Sequence, residues 1–326
     1  MHTSGLSRRA ALRLLSTLVA VPSLTFAAEV GRPIRVIVPS AAGATPDTTM
    51  RLLTQQITRD TGINFVIDNK PGASGILGMT DLIRQPADGL TMGYVNNVTL
   101  AINRSTFRKL PYDPQKLTPV TLLTKVANVV VVNDFVPAKN LQELLAYAKA
   151  NPEKIAFASP GQGTSGHLSG ELLAMKTGIQ IKHIPYRGSP QAITDLLGNQ
   201  INMMIDNLPN VLSYIREGKL KAIAVTSLAR NSQLPNVPTI AESGYPGFEG
   251  VAWGGIAMPP NAPARLAQEM NAAFQKALAN PDVQRVFQVQ GSDITADADP
   301  ASLMRYAEAE TLKWAAVVKQ AGIEPQ

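Results

Sequence analysis

Cysteine is absent from all 326 residues. That removes disulfides, thiolate nucleophiles and cysteine-ligated metals in one step. Histidine is nearly as scarce, with three in the chain. No His-Glu-x-x-His run and no carboxylate cluster with ligand spacing is present, so neither a metal nor a cofactor is expected. Aromatics make up 5% of the residues and no basic stripe interleaves with them, which removes nucleic acid from the expected partners. The formal charge is +6, but Arg8, Arg9 and Arg13 precede any acidic residue, and without them the chain stands near +3. That mild balance suits small anions weakly. Beyond the N-terminal segment no apolar run approaches the roughly 18 residues of a membrane span.

What is present is aliphatic. Apolar residues make up 45% of the chain, mostly Val, Ile, Leu and Ala, a composition that suits buried parallel strands. The length predicts two lobes. At the N-terminus three arginines precede an apolar stretch over 14–24, and Thr25-Phe26-Ala27-Ala28 offers small residues for cleavage. Residues 1–27 therefore read as an export signal, and the mature protein is expected in the periplasm. Ser7-Arg8-Arg9 followed by Leu12 also fits a twin-arginine signal, and an ordinary secretory signal fits equally.

Strand-like runs at 34–38, 64–67, 92–95, 155–158, 181–184, 201–205 and 222–225 alternate with helical periods, the pattern of parallel sheets with helices on both faces. Asn140-Leu141-Gln142-Glu143 resembles a capping box, and Ser189-Pro190 predicts a cap followed by proline at the first helical position. Two longer extended runs, 120–133 and 251–258, break the rhythm. They are read as crossing strands, giving lobe 1 over 28–130 and 251–326 and lobe 2 over 131–250; two core strands of one sheet would look the same. Two helices are expected to close the chain, at about 263–279 and from an Asp299 cap to about Gln320.

Ligands in open parallel sheets bind beyond the carboxyl ends of the strands, which directs attention to four loops. Pro39-Ser40-Ala41-Ala42-Gly43-Ala44-Thr45-Pro46-Asp47 follows the first strand, with Thr45 expected as helix cap. Asn69-Lys70-Pro71-Gly72-Ala73-Ser74-Gly75 repeats the design, and Ser159-Pro160-Gly161-Gln162-Gly163-Thr164-Ser165-Gly166-His167 does so in the second half. Small residues let a ligand approach the backbone, and the free N–H groups of a helix's first turn favour an anion. Met204-Ile205-Asp206-Asn207 ends a strand in a carboxylate and an amide, fit either to select an amine or hydroxyl or to cap the next helix. Catalytic readings fare worse. Gly163-Thr164-Ser165-Gly166-His167 has histidine where a nucleophile elbow needs glycine. Ser165 and His167 diverge by about 200° on a helix and form no local dyad. His167 is expected to pack or cap behind its loop.

These loops, with Arg51, Ala87-Asp88-Gly89, Leu110-Pro111-Tyr112-Asp113-Pro114, Ile184-Pro185-Tyr186-Arg187-Gly188, Asp206, Pro235-Asn236-Val237-Pro238-Thr239 and Glu242-Ser243-Gly244, resemble the tripartite tricarboxylate transporter substrate-receptor family, also called the Bug (Bordetella uptake gene) family. The likeness spans essentially the whole mature chain. It implies an α/β, type II periplasmic-binding-protein fold, with two lobes closing by hinge motion on a carboxylated ligand, and in some members delivery to a membrane permease. The ligand classes it suggests are a di- or tricarboxylate, an acidic amino acid or an aromatic acid. One carboxylate is expected on the amides of Gly43 to Asp47 and the Ser74-Gly75 turn, the other end on Ser159, Gly163, Thr164, Ser165 and Asp206. Ser40, Ala44, Thr45, His167, Tyr186 and Arg187 complete the expected ligand-binding set. The family usually carries Gly-Gly where this chain has Gly43-Ala44, and a bulky residue at the Ser40 position. A monomeric, non-enzymatic receptor is expected; a hydrolase or isomerase using Ser165 or Asp206, and a ligand sensor for a membrane kinase, are the alternatives. Ser165→Ala and Asp47→Ala are expected to weaken binding while leaving the melting temperature of the empty protein nearly unchanged.

Overall fold

The computed structural model describes residues 31–326 apart from Glu153; the expected signal, 1–27, lies outside the described residues. Each apolar run forms a strand close to its expected place. The first set is β1 (Ile34–Val38), α1 (Thr45–Thr61), β2 (Phe65–Asn69), α2 (Ile76–Ile83) and β3 (Thr91–Asn96). A π-helical turn, Val98–Ile102, and the short α3 (Asn103–Thr106) lead to β4 (Thr118–Val132). The second set is α4 (Leu141–Ala150), β5 (Ala156–Ser159), α5 (Ser165–Thr177), β6 (Lys182–Pro185), α6 (Ser189–Leu197), β7 (Met203–Asn207), α7 (Leu208–Arg216) and β8 (Lys221–Val225). The chain then returns through β9 (Val251–Met258), α8 (Ala264–Leu278), α9 (Pro281–Gln290), β10 (Ser292–Ile294) and α10 (Pro300–Gln320).

The strand order is β2-β1-β3-β9-β4-β7-β5-β6, with β8 and β10 both paired to β4. β1, β2 and β3 are parallel, as are β5, β6 and β7, which follows from their helical crossovers. β4 joins the two sets. Its first ten residues, from Thr118 to Ala127, pair antiparallel with β9, and Asn128 to Val132 pair with β7 and β8. β9 enters the first lobe at Gly250, where Gly250 N–H donates to Thr226 O at 2.9 Å and Asn128 Nδ2 donates to Gly250 O at 2.6 Å. The two long runs are thus paired neighbours, and β4 continues past β9 to join the second set of strands.

Asn140 and Asp299 cap α4 and α10 as expected, accepting from Glu143 N and Ser302 N. The closing region holds more than the two helices expected. α9 starts at an Asn280 cap that accepts from Asp282 N and Val283 N, and β10 pairs antiparallel with β4. In the second lobe α5 lies so close to the sheet that two of its residues must be glycine. A Cβ on Gly166 would collide with the carbonyl of Ile205, and one on Gly170 with the ring of Phe157. That approach carries the N-terminus of α5 to the lobe boundary.

Candidate functional site

The first loop is built around Gly43, which adopts φ +79, a left-handed conformation that favours glycine. Its N–H donates to Asp47 Oδ2 at 2.8 Å, and Asp47 is gripped in turn by Arg51 Nε and Nη2, each at 3.0 Å. Burial pushes the Asp47 carboxyl up, but Arg51 and the Gly43 amide outweigh it and hold the group below the ordinary carboxylate range. Helix α1 begins one residue earlier than a Thr45 cap requires. Ala44 O accepts the first helical bond from Thr48 N, so Ala44 is the cap residue and Thr45 the first helical one. The Thr45 hydroxyl is therefore free of capping and donates to Asn210 Oδ1 of the second lobe at 3.1 Å. The same displacement occurs in α6, where Gly188 is the cap residue and the Ser189 hydroxyl accepts from Asn210 Nδ2 at 3.0 Å. Both corrections have one cause: the hydroxyl residue sits inside the first turn rather than before it.

The third loop repeats the first at an offset of 120 residues. Gly163 has φ +74, and its N–H donates to His167 Nδ1 at 3.0 Å, as Gly43 does to Asp47. Ala44 N and Thr164 N each donate to the carbonyl three residues back at 3.3 Å. The cap residues match as well, with φ −73, ψ 161 at Ala44 and φ −72, ψ 163 at Thr164. His167 Nε2 then lies 3.5 Å from Glu171, four residues on, in the place that Arg51 holds relative to Asp47. Thr164 adds what Ala44 cannot: its Oγ1 accepts from His167 N and donates to Gly161 O.

Beneath the third loop the rings of His167 and His183 stack at 3.8 Å, and His183 packs on Phe157 at 4.9 Å. Ser159, fully buried, donates to Gly161 O, accepts from Gly161 N and lies 2.7 Å from His183 Nε2. Burial, with His167 adding to it, pushes the His183 imidazole down to about 3, which makes it a poor base at neutral pH. Ser159 thus secures the loop from below. Ser165 has no imidazole within hydrogen-bond reach; its Oγ donates to Asn128 Oδ1 at 3.2 Å.

The second loop is a run of left-handed residues, with φ +120 at Gly72, +46 at Ala73, +51 at Ser74 and +82 at Gly75. Two of the four are not glycine, a costly conformation that other contacts must hold. Asn103 Nδ2 donates to Ser74 O at 3.0 Å and to Tyr112 Oη at 3.1 Å, and the Tyr112 hydroxyl donates to Thr99 O. A Cβ at Gly75 would stand 2.8 Å from Thr99 Cγ2. So held, Ser74 donates across the cleft to Gln162 O of the third loop at 3.2 Å.

Asp206 is 1% exposed. It accepts from Asn207 N at 2.7 Å and from Asn210 Nδ2 at 3.1 and 3.2 Å. Burial pushes its carboxyl up to about 6, against the pull of those donors and of Ser189. Asn210 consequently links a buried carboxylate of the second lobe to Thr45 of the first. Ser40 keeps its hydroxyl buried without a partner, while its carbonyl accepts from Asn69 Nδ2. Tyr186 donates to Asp195 Oδ2 at 2.8 Å and so braces α6, and Arg187 is exposed.

The expected residues therefore sort by position. Thr45 and Ser74 bond across the seam, Ser165 bonds Asn128 and Asp206 reaches Thr45 through Asn210, while Asp47, Ser159 and His167 lie behind the loops and shape them. Asp47, 2% exposed and charge-paired, braces its loop as well, so its loss is now expected to lower the melting temperature of the empty protein. The reading of residues missed Asn128, Asn210, Gln162 and Asn103. Among the described residues no group of three or more His, Cys, Asp or Glu is placed to hold a metal, and no helix is long and apolar enough to cross a membrane.

Residues 49–323 match the profile of the tripartite tricarboxylate transporter family receptor. The chain is 34% identical to Protein BugT of Bordetella pertussis, over 89% of this chain and 90% of that one. A protein of R. palustris solved with adipate superposes with a TM-score of 0.87 at 32% identity, over 90% of this chain and 99% of that one. MatC of Rhodopseudomonas palustris, solved with bound malate, gives a TM-score of 0.82 at 31% identity, over 88% and 99%. With that coverage and these two matched loops at its lobe boundary, the chain belongs to the tripartite tricarboxylate transporter receptor family and has its two-lobed periplasmic-binding-protein fold.

Proposed function

We propose that this protein is a periplasmic receptor that closes on one small carboxylate ligand, returns it chemically unchanged, and passes it to the permease of a tripartite tricarboxylate transporter. The observation that carries this reading is the pair of matched helix starts. The first turns of α1 and α5 each follow a left-handed glycine whose amide is tied back, leaving the next amides without an intrahelical acceptor. Each start is tied across the seam to a different partner: Thr45 of α1 bonds Asn210 of α7, and Gln162 in the loop before α5 accepts from Ser74 of the second loop. The adipate and malate seen in two relatives fit such a seam as short dicarboxylates. A ligand carboxylate on the first turn of α1 and the Ser74-Gly75 turn, with Ser165 and Asp206 at its other end, is the arrangement we favour.

Several features support the finer statements. Lobe 1 is taken as 28–130 with 251–326 and lobe 2 as 131–250, with Asn128 and Gly250 at the crossings. Both helix starts come from one chain, which supports a monomeric receptor. The arginines ahead of the apolar stretch at 14–24 support export, and the relatives solved as periplasmic proteins agree with it. A binder rather than a hydrolase is favoured because Ser165 is committed to Asn128 and the buried Ser159 faces a histidine too weakly basic to activate it.

Calorimetric titration with mono-, di- and tricarboxylates and acidic amino acids tests the proposal. One class is expected to bind with a 1:1 stoichiometry and to be recovered intact after denaturation. Absence of binding across the panel, or conversion of any member to product, would overturn it.

A further inference from the structure

The two matched loops differ at one chemically telling place. Four residues after each glycine the first lobe offers a carboxylate, Asp47, and the second an imidazole, His167. We infer that His167 is the positioning residue of the second cradle: its neutral ring holds the Gly163 amide out of the cleft and thereby fixes which amides of α5 are left for a ligand. This rests on the reading of the site as a carboxylate cradle.

The geometry sets the protonation pattern. Nδ1 accepts the Gly163 N–H at 3.0 Å, so the ring carries its proton on Nε2, which faces Glu171 Oε1 at 3.5 Å. An imidazolium has no lone pair for Gly163, so the cradle requires the neutral ring. One face of the ring is also engaged, by His183 at 3.8 Å, and His183 itself reaches the Ser159 hydroxyl that ties both backbone groups of Gly161. Two imidazoles thus fasten the loop at Gly161 and Gly163. Thr164 and Ser165 follow directly, and among the described residues no other polar side chain bonds the Gly163 amide.

The first lobe shows which part of His167 matters. Asp47 shares neither its aromaticity nor its stacking, yet it produces the same left-handed glycine and the same cap conformation. The shared element is an acceptor four residues past the glycine, held by a partner four residues further on, Arg51 in one lobe and Glu171 in the other. Charge polarity is reversed between the lobes, while the function of the acceptor is the same.

The test transplants one pair into the other lobe. His167→Phe keeps a flat ring on His183 but removes the acceptor; His167→Asp with Glu171→Arg restores an acceptor and its partner in the pattern of the first lobe. Amide hydrogen exchange at Gly163 is read by nitrogen-15 NMR, and adipate and malate are titrated by calorimetry. Gly163 is expected to exchange about tenfold faster in His167→Phe, with carboxylate affinity down about tenfold, the usual effect of one lost hydrogen bond. The double variant is expected to recover both. Unchanged Gly163 exchange in His167→Phe overturns the inference, as does a double variant no better than His167→Phe. If the wild-type protein binds neither acid nor any other carboxylate, the receptor reading fails, and Gly163 exchange still judges the role of His167.

Discussion

Asp206→Asn should change how stability depends on pH, and the size of the change follows from where the carboxyl sits. The group is buried, and its protonation midpoint rises from 3.8 to about 6 because burial disfavours the charged form. A raised midpoint means that the folded protein holds this proton more tightly than the unfolded chain does. Its contribution is therefore full below pH 3.8 and is lost as pH rises through about 6. A shift of about two units at 1.36 kcal/mol each amounts to about 3 kcal/mol, net of the opposing pull of the donors Ser189, Asn207 and Asn210.

The asparagine variant has nothing to ionise, so wild type minus variant isolates this residue from every other titrating group. Mispaired amides at position 206 add a constant offset and leave the slope untouched. Urea unfolding at intervals from pH 4 to 7.5 measures it. Circular dichroism is the appropriate signal, because it follows the helices of the whole described fold rather than the surroundings of Trp253 and Trp314 alone. Relative to wild type, the variant should gain about 2 to 3 kcal/mol over that range, most of it between pH 4 and 6. A stability difference that stays flat across the range would refute the reasoning and place Asp206 in a well-solvated setting.

Other perturbations separate shaping residues from binding residues. Asp47→Ala leaves the Gly43 amide and the Arg51 guanidinium without their acceptor, and should cost about 2 to 4 kcal/mol in urea unfolding as well as carboxylate affinity; an unchanged midpoint would show the ion pair to be idle. Thr45→Val removes only the hydroxyl that reaches Asn210, so the empty protein should unfold within about 1 kcal/mol of wild type while small-angle scattering shows a more open average form. Gly166→Ala forces a methyl against the Ile205 carbonyl and should destabilise by about 3 kcal/mol, read as a lower melting temperature. Glu310→Ala strips both indole N–H groups, at 3.2 Å from Trp253 and 2.9 Å from Trp314, of one shared buried acceptor. About 3 kcal/mol and a shift in tryptophan emission are expected, since these are the only two tryptophans in the chain.

Much of the architecture was legible in the amino-acid order because it rests on local rules. Runs of β-branched residues followed by Gly-rich turns gave the parallel strands, and Asn140 and Asp299 announced their helices. The missed helix α9 was announced as plainly by Asn280-Pro281-Asp282. The caps at Thr45 and Ser189 were placed one residue off because a hydroxyl before proline fits either the cap or the first turn, and only the carbonyl that accepts the first helical bond decides. Asn128 was hidden inside a valine-rich run, although a polar residue in a strand buried on both faces must find partners, and that demand was itself a signal. Asn210 stands four residues past Asp206, a spacing that brings them together on a helical path. The equivalence of Asp47 and His167 was not legible at all, because they are alike only as acceptors.

The distribution of charge bears on how such a receptor lets go. The strong ion pairs lie behind the loops: Asp47 with Arg51, and Arg35 and Lys70 with Asp68 and Asp81 where the second loop leaves the sheet. The bonds described between the loops across the seam are of another kind, hydroxyl to amide at Thr45 and hydroxyl to carbonyl at Ser74. Each such bond contributes only about 1 kcal/mol net, since water replaces it when the lobes part. These two alone add a factor of roughly 10 to 30 to closure at the loops, which a ligand touching both lobes can exceed. Salt bridges across the seam would hold the empty protein shut, and a ligand could then add little to closure. Rigid, charge-braced cradles joined by a weakly bonded seam leave the decision to the molecule between them.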